Sequence, residues 1–263
     1  MRKIGINLHS VPGLSDEEYI TRIADLGFNC TFTGVFEKAR HTQIAELAAA
    51  HGIEYETVHC PFDRINHIWL DDDQGENALF DLTNTVDCCV AAGAPIAIIH
   101  LSSGRKPPSI TDIGRARFAR LVDHAVKNNV TIAFENQRML GNISWVFEEF
   151  ADCENVKFCW DCGHEYCFTP GRHYMPLFGD KLVCTHIHDN PCQFNKDHHM
   201  IPFDGKIDYS VVADTIRSSG YTGSIMLEVF STSSPNYPDI TADEFLTRAH
   251  SAVTRLVNMI DNE

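Results

Sequence analysis

Ile132-Ala-Phe-Glu135, Phe158-Cys-Trp-Asp161, Val183-Cys-Thr-His186 and Ile225-Met-Leu-Glu228 share one pattern. Each is an apolar run of strand type, built from β-branched or aromatic residues, that stops on a carboxylate or an imidazole. Three earlier runs stop in the same way on His9, His59 and His100. Apolar strands ending on residues that can bind a cation are what a parallel barrel needs, because barrel chemistry sits at the C-terminal ends of the strands. Glu135, Asp161, His186 and Glu228 would together make a hard, oxygen-rich set for a divalent metal: Mn²⁺, Mg²⁺, Co²⁺ or Zn²⁺.

Working outward, the rest of the chain reads as the scaffold for those ends. Strands are expected at Lys3–Leu8, Cys30–Val35, Ile53–Val58, Pro95–Ile99, Val156–Trp160 and Leu182–His186, with two more ending on Glu135 and Glu228. Helices are expected between them. Ser15 followed by three acids opens one that Gly27 closes. Leu79, Leu82, Val86 and Val90 mark the apolar side of another, from Asn77 to Ala92. Others run from Thr111-Asp112 to Lys127, over Trp145–Phe150, over Tyr209–Ser218 and from Thr241 to Met259. After strand six only a turn at Met175–Phe178 is expected, which leaves His164 in a loop. Eight strand-then-helix units without a linker predict an α/β fold, a (β/α)8 TIM barrel forming a single domain over residues 1–263. The 263-residue length suits that fold.

A formal charge of −15 opposes general attraction to nucleic acid or to an anionic membrane, since both are polyanions. Ten cysteines are present, but Cys30, Cys89, Cys159 and Cys184 lie within apolar runs and read as small core residues. The N-terminus lacks a signal-peptide pattern and no apolar segment is long enough to span a bilayer. A reducing, cytoplasmic location with free thiols is the expectation. Cys159-Trp-Asp-Cys162 has no second pair to make a zinc knuckle, and it falls on a strand rather than at a helix start.

Phe134-Glu135-Asn136, Trp160-Asp161-Cys-Gly-His164, His186-Ile-His188-Asp-Asn190, Asp197-His-His199-x-x-Pro202-x-Asp-Gly205 and Leu227-Glu228 together resemble the xylose-isomerase-like barrel superfamily. That superfamily holds sugar (phosphate) isomerases and epimerases, inosose dehydratases and family-two apurinic endonucleases. The resemblance implies Glu135, Asp161, His186 and Glu228 as metal ligands, His186 being preferred to His188 because it opens a His-x-x-Asp run. It implies Glu135 and Glu228 as the acid/base pair and His164 as a substrate contact. The epimerases carry a substrate-binding Arg soon after the metal His. Here Ile187–Asn195 has none, and Lys196 is the nearest cation.

The implied function is a metal-dependent isomerase or epimerase that moves a proton through an enediolate on a sugar or cyclitol. A dehydratase on the same site is the nearest chemical neighbour. Resemblance to the trinuclear zinc endonucleases gives a second reading, a phosphodiester hydrolase with additional metal ligands at His59, His100, His164, Asp197 and His199. Other members keep such residues as hydroxyl contacts, so His59, His100, His164, His188 and Lys196 are also candidates for binding substrate. His9 and His188 read as substrate-facing or as supports for ligands. Pro61, Phe62 and Trp69 either pack their loop or wall a pocket. The partner implied is a small-molecule sugar or sugar-like substrate, with a homodimer as the family expectation.

Overall fold

The structure, a computed structural model, describes residues 2–233 and 237–261. Strands and helices alternate along the chain and the described strand pairs run parallel, which makes the fold a (β/α)8 TIM barrel. Contacts divide the chain into two compact units: Met1–Phe32, Glu46–Glu54 and Trp160–Glu263 in the first, Thr33–Ala45 and Tyr55–Cys159 in the second.

In the first unit β1 (Ile4–Asn7) pairs with β2 (Cys30–Thr33) on one side and β8 (Ile225–Leu227) on the other, with Gly5 opposite both Cys30 and Met226. A Cβ on Gly5 would sit 2.5 Å from the Met226 sulfur and 2.7 Å from the Cys30 sulfur. Glycine therefore lets Cys30, Phe32 and Met226 close into one buried cluster. β7 (Leu182–His186) is carried on by a parallel bridge between Ile187 and Leu227.

α1 (Asp16–Leu26) begins with a capping box, in which Ser15 Oγ accepts the Glu18 N–H and the Glu18 carboxylate accepts the Ser15 N–H. It ends on Gly27 at φ 100°, as expected. α9 (Ala242–Asp261) buries Phe245, Leu246, Ala249, Val253 and Leu256 along one face.

In the second unit β3 (Glu54–His59), β4 (Ile96–Ile99), β5 (Thr131–Glu135) and β6 (Val156–Asp161) follow one another in sheet order. Glu54 of β3 and the last two residues of β6, Trp160 and Asp161, belong to the first unit, and Thr33 of β2 belongs to the second. The register places Thr57 beside Ile96, Ile99 beside Phe134 and Glu135 beside Cys159. α3 (Gly75–Ala92) and α4 (Asp112–Lys127) start and stop close to expectation.

Trp69 ends a 3-10 turn (Ile65–Trp69), 1% exposed, and its indole N–H donates to the Leu101 carbonyl at 2.7 Å. Its ring packs on Phe118 and Trp145, with centroids 5.0 and 5.2 Å away. Trp69 is thus core, whereas Phe62 is 47% exposed.

Three expectations are corrected by the structure. The turn after β6 is preceded by a full helix, α6 (Cys162–Phe168), before α7 (Met175–Phe178). Asp161 caps α6 by accepting the His164 N–H at 2.6 Å, so His164 lies on a helix and not in a loop. α5 (Leu140–Glu149) starts earlier than Trp145 because Asn142 and Ile143 are already buried on its inner side. α8 (Tyr209–Ser219) follows a long loop that is ordered and tied to itself by an antiparallel bridge between Asp189 and Met200. Among the described residues no disulfide joins the cysteines, and no helix is long and apolar enough to cross a membrane.

Candidate active site

In the first unit the ends of β6, β7 and β8 bring Asp161, His186 and Glu228 together. Each offers a ligand atom within 4.8 Å of the others. His186 Nδ1 is 3.1 Å from Glu228 Oε2, and the His186 ring lies flat on Phe32, centroids 4.7 Å apart. Asp161 and His186 are fully buried and the Glu228 side chain is 12% exposed. Two carboxylates and an imidazole held this close, away from water, form a donor set that a divalent cation fits, since buried carboxylates need a compensating charge.

A second group lies in the same unit. His164, His188, Asp197 and His199 each offer a ligand atom within 4.8 Å of the others. His164 Nε2 and His199 Nε2 are both 3.3 Å from Asp197 Oδ2, and His188 Nε2 is 3.7 Å from Asp197 Oδ1. His199 Nδ1–H donates to the Glu228 carbonyl at 2.9 Å, which turns its Nε2 toward Asp197. His199 holds φ 41°, a backbone strain of the kind found at functional positions.

Burial works against charge on both Asp197 and His199, and their mutual attraction prevails. The Asp197 carboxyl is held well below the usual carboxylate range by the charges of His199 and His164. The His199 imidazole is pushed up to about 10 by Asp197, aided by Glu228 and Asp161.

His188 is fully buried between neighbours on both faces. Its ring stacks on His199 with centroids 3.9 Å apart, and a Cβ on Gly163 would come within 2.0 Å of its Cε1. Its Nε2 is 3.1 Å from Asp161 Oδ1, close but out of line, and neither ring nitrogen makes a hydrogen bond.

Asp189, next along the chain, holds the loop that carries Asp197 and His199. Its Oδ1 accepts the N–H groups of Asn190, Lys206 and Ile207, and its Oδ2 those of Phe203 and Gly205, at 2.7–3.1 Å. Burial raises this carboxyl, and the backbone donors oppose that rise.

In the second unit Glu135 Oε2 meets two imidazoles, His59 Nε2 at 3.1 Å and His100 Nε2 at 2.6 Å. His59 Nδ1–H donates to the Cys60 carbonyl at 2.7 Å, which aims Nε2 at the carboxylate. Phe62 stacks on His100 with centroids 5.0 Å apart, so it covers a polar group while remaining exposed. Cys60 behind them is inert, its thiol pushed up to about 12 by burial.

His9 turns to Asp16, its Nε2 2.8 Å from the carboxylate, and Lys196 is exposed, its backbone N–H donating to Gln193 O. Cys162 donates its thiol to the His188 carbonyl at 3.6 Å and is raised well above the ordinary thiol range by burial, which suits a structural thiol.

The pattern that describes the xylose isomerase-like TIM barrel family matches residues 20–249. The chain belongs to that family. A curated relative, the uncharacterized protein y4fM of Sinorhizobium fredii (strain NBRC 101917 / NGR234), is 28% identical over 234 residues, covering 82% of this chain and 71% of its own length.

Among solved structures, an L-ribulose 3-epimerase superposes with a TM-score of 0.79 at 16% identity, covering 99% of this chain and 96% of that one. A D-psicose 3-epimerase from Clostridium cellulolyticum H10, solved with D-tagatose, gives 0.79 at 17% identity, covering 98% and 99%. A fusion of a xylose isomerase-like TIM barrel with 4-hydroxyphenylpyruvate dioxygenase gives 0.78 at 16% identity, covering 98% of this chain, which spans only 43% of the fusion. At these identities the likeness establishes the fold.

His188, expected to contact substrate or to support a ligand, is fully buried under the His199 ring. Sequence reasoning missed the role of one residue. Asp189 entered only as part of a motif, and no spacing rule reveals a carboxylate that accepts five backbone N–H groups.

Proposed function

We propose that the chain acts as one barrel, residues 1–263, and catalyses epimerisation or isomerisation of a sugar or cyclitol with a divalent metal held by Glu135, Asp161, His186 and Glu228. The observation that carries this reading is the convergence of Asp161, His186 and Glu228 within 4.8 Å at the ends of three strands. The β5–β6 register supports the fourth member. Glu135 pairs with Cys159, and Asp161 lies two residues further on the same strand. Paired residues and those two apart share a face, so both carboxylates belong to one side of the sheet.

The metal, when bound, would polarise a carbonyl of the substrate and make the neighbouring carbon acidic. The chain's own residues then divide the work. Glu135, fixed through Oε2 by His59 and His100, takes the proton on one face. Glu228, less buried and backed by His186, returns it on the other. His164, held on the first turn of α6, and the exposed ring of Phe62 would contact the sugar.

The epimerase structures in the family act on ketoses by their names, and L-ribulose and D-psicose are the first substrates to try. In deuterated solvent the parent should place deuterium on the carbon beside the carbonyl, and Glu228→Gln should slow this by about 10²–10⁴. Incorporation at the parent rate in the variant would remove Glu228 from the mechanism.

A metal-dependent phosphodiester hydrolase is the second reading. It is favoured by the contact of His59 and His100 with one carboxylate oxygen, since these three side chains would hold a further metal. The charge of −15 opposes a nucleic-acid substrate. Cleavage of bis(4-nitrophenyl) phosphate by the metal-loaded chain would favour this reading, and its absence would favour the isomerase.

A further inference from the structure

We propose that Asn7 is a positioning residue for Glu228: its side-chain amide fixes the main chain just after Glu228 and keeps a buried N–H donor for the Glu228 carboxylate. This role presupposes the acid/base work proposed for Glu228, and all the residues concerned lie in the first unit.

The register of β1 and β8 brings the two residues side by side. Gly5 faces Met226, so two residues further along both parallel strands Asn7 falls opposite Glu228. They also share a face. A Cβ on Gly5 would point at the Met226 and Cys30 sulfurs, in the cluster that includes Phe32, and side chains two apart on a strand point the same way. Asn7 itself pairs with Phe32, the ring on which His186 lies. Asn7 is therefore on the side of the sheet that carries Phe32, His186 and Glu228, one strand spacing of about 4.8 Å from Glu228.

Regular pairing breaks at this point. Ile225 N–H donates to the Lys3 carbonyl at 2.9 Å. A parallel ladder repeats every two residues, which would bring Val229 N–H to the Asn7 carbonyl. Instead Val229 N–H donates to Asn7 Oδ1 at 2.9 Å, and the Asn7 carbonyl accepts the Tyr19 hydroxyl at 2.8 Å. Tyr19 is fully buried, and its hydroxyl is held in turn by Ser10, 2.6 Å away. A side chain has thus taken a main-chain place in the sheet, at the peptide unit that follows Glu228. On the opposite edge Glu228 N–H donates to the Ile187 carbonyl at 3.1 Å. Glu228 is gripped between the continuation of β7 and an asparagine side chain.

That grip leaves one group over. The Val229 N–H identifies which end of the Asn7 amide is oxygen. The other end, Nδ2, is buried without a hydrogen-bond partner in a residue 2% exposed. Native interiors seldom leave an amide donor unsatisfied. The acceptor opposite is the Glu228 carboxylate, whose Oε2 here turns to His186 Nδ1 at 3.1 Å. An N–H from Asn7 to that carboxylate would hold its direction while it gives up and regains a proton.

Three measurements test this role. Solvent deuterium entry into L-ribulose and D-psicose should show kcat about 10–100-fold lower in Asn7→Ala, with KM within about 2-fold of the parent. Asn7→Asp keeps an acceptor for Val229 N–H and loses the donor. It should be as slow as Asn7→Ala, yet exchange the Val229 amide hydrogen at the parent rate by NMR, whereas in Asn7→Ala that exchange should quicken. A crystal of the parent loaded with magnesium should bring Asn7 Nδ2 within hydrogen-bond distance of a Glu228 oxygen, a result that needs no variant to fold.

Parent kcat in Asn7→Ala overturns the role. So does a rise in KM at constant kcat, which would make Asn7 a substrate contact. A parent rate in Asn7→Asp would reduce Asn7 to main-chain support and also overturns it, as does an Nδ2 turned away from Glu228 in the magnesium-loaded crystal. No deuterium uptake by the parent on either ketose counts against the epimerase reading instead, and the crystal and the Val229 exchange then decide the contact on their own.

Discussion

His186 Nδ1, on the ring edge, lies 3.1 Å from Glu228 Oε2 while a face of the same ring rests on Phe32. The ring cannot swing away from the carboxylate without leaving its aromatic floor, so orientation is fixed before a cation arrives. Phe32→Ala should weaken manganese binding by about 10–100-fold, as loss of an outer support commonly does. His186→Ala should weaken it further. Equal affinity in Phe32→Ala and the parent would show that the stack plays no part.

His59 and His100 share one oxygen of Glu135. Should they serve to aim that carboxylate, His100→Asn would lower kcat by roughly 10–100-fold and leave KM nearly unchanged, because misplacing a base costs rate more than binding. A rise in KM at constant kcat would instead make His100 a substrate contact.

The loop from Asn190 to Ile207 depends on one carboxylate and one glycine. A Cβ on Gly205 would lie 2.2 Å from Asp189 Oδ1 and 2.6 Å from the Asn190 carbonyl. Asp189→Ala leaves five backbone donors seeking partners and should destabilise the chain by about 2–4 kcal/mol in urea unfolding. Gly205→Ala should expose the loop to limited proteolysis before the rest of the chain. Cleavage that starts elsewhere would contradict this.

Much of this arrangement was legible in the sequence because barrel strands announce themselves twice, as apolar runs and as polar stops. Glu135, Asp161, His186 and Glu228 all stand at or just past strand ends as expected. α6 was illegible because Cys162 and Gly163 are poor helix formers, and its cap comes from Asp161, a residue already assigned to the metal. For Trp69 the sequence left two roles open, packing and a pocket wall, and the structure places it in the core. Its indole is buried only because Gly114 leaves room, a Cβ there reaching 2.1 Å from the ring. Gly114→Ala should therefore cost about 1–3 kcal/mol by overpacking, readable as a lower urea midpoint.

His41 gives the fold an acid limit. It is fully buried, its Nε2 accepts the Phe36 N–H at 3.0 Å, and its Nδ1 faces Tyr55 OH at 2.7 Å. Burial pushes its pKa down to about 4, assisted by the charge of Arg40. A protonated ring could not accept from Phe36. The unfolded chain takes up that proton near the ordinary value of about 6.5, so the stabilisation is complete above that pH and lost as pH falls toward 4. The urea midpoint of the parent should drop more steeply between pH 6.5 and 4 than that of His41→Gln. Parallel curves would contradict the assignment.

The central claim is that one divalent cation is gripped by Glu135, Asp161, His186 and Glu228. Anomalous scattering from crystals grown with manganese tests it most directly. The account predicts a manganese peak in contact with all four side chains. A manganese peak that none of them touches, or no peak at saturating manganese, would contradict it.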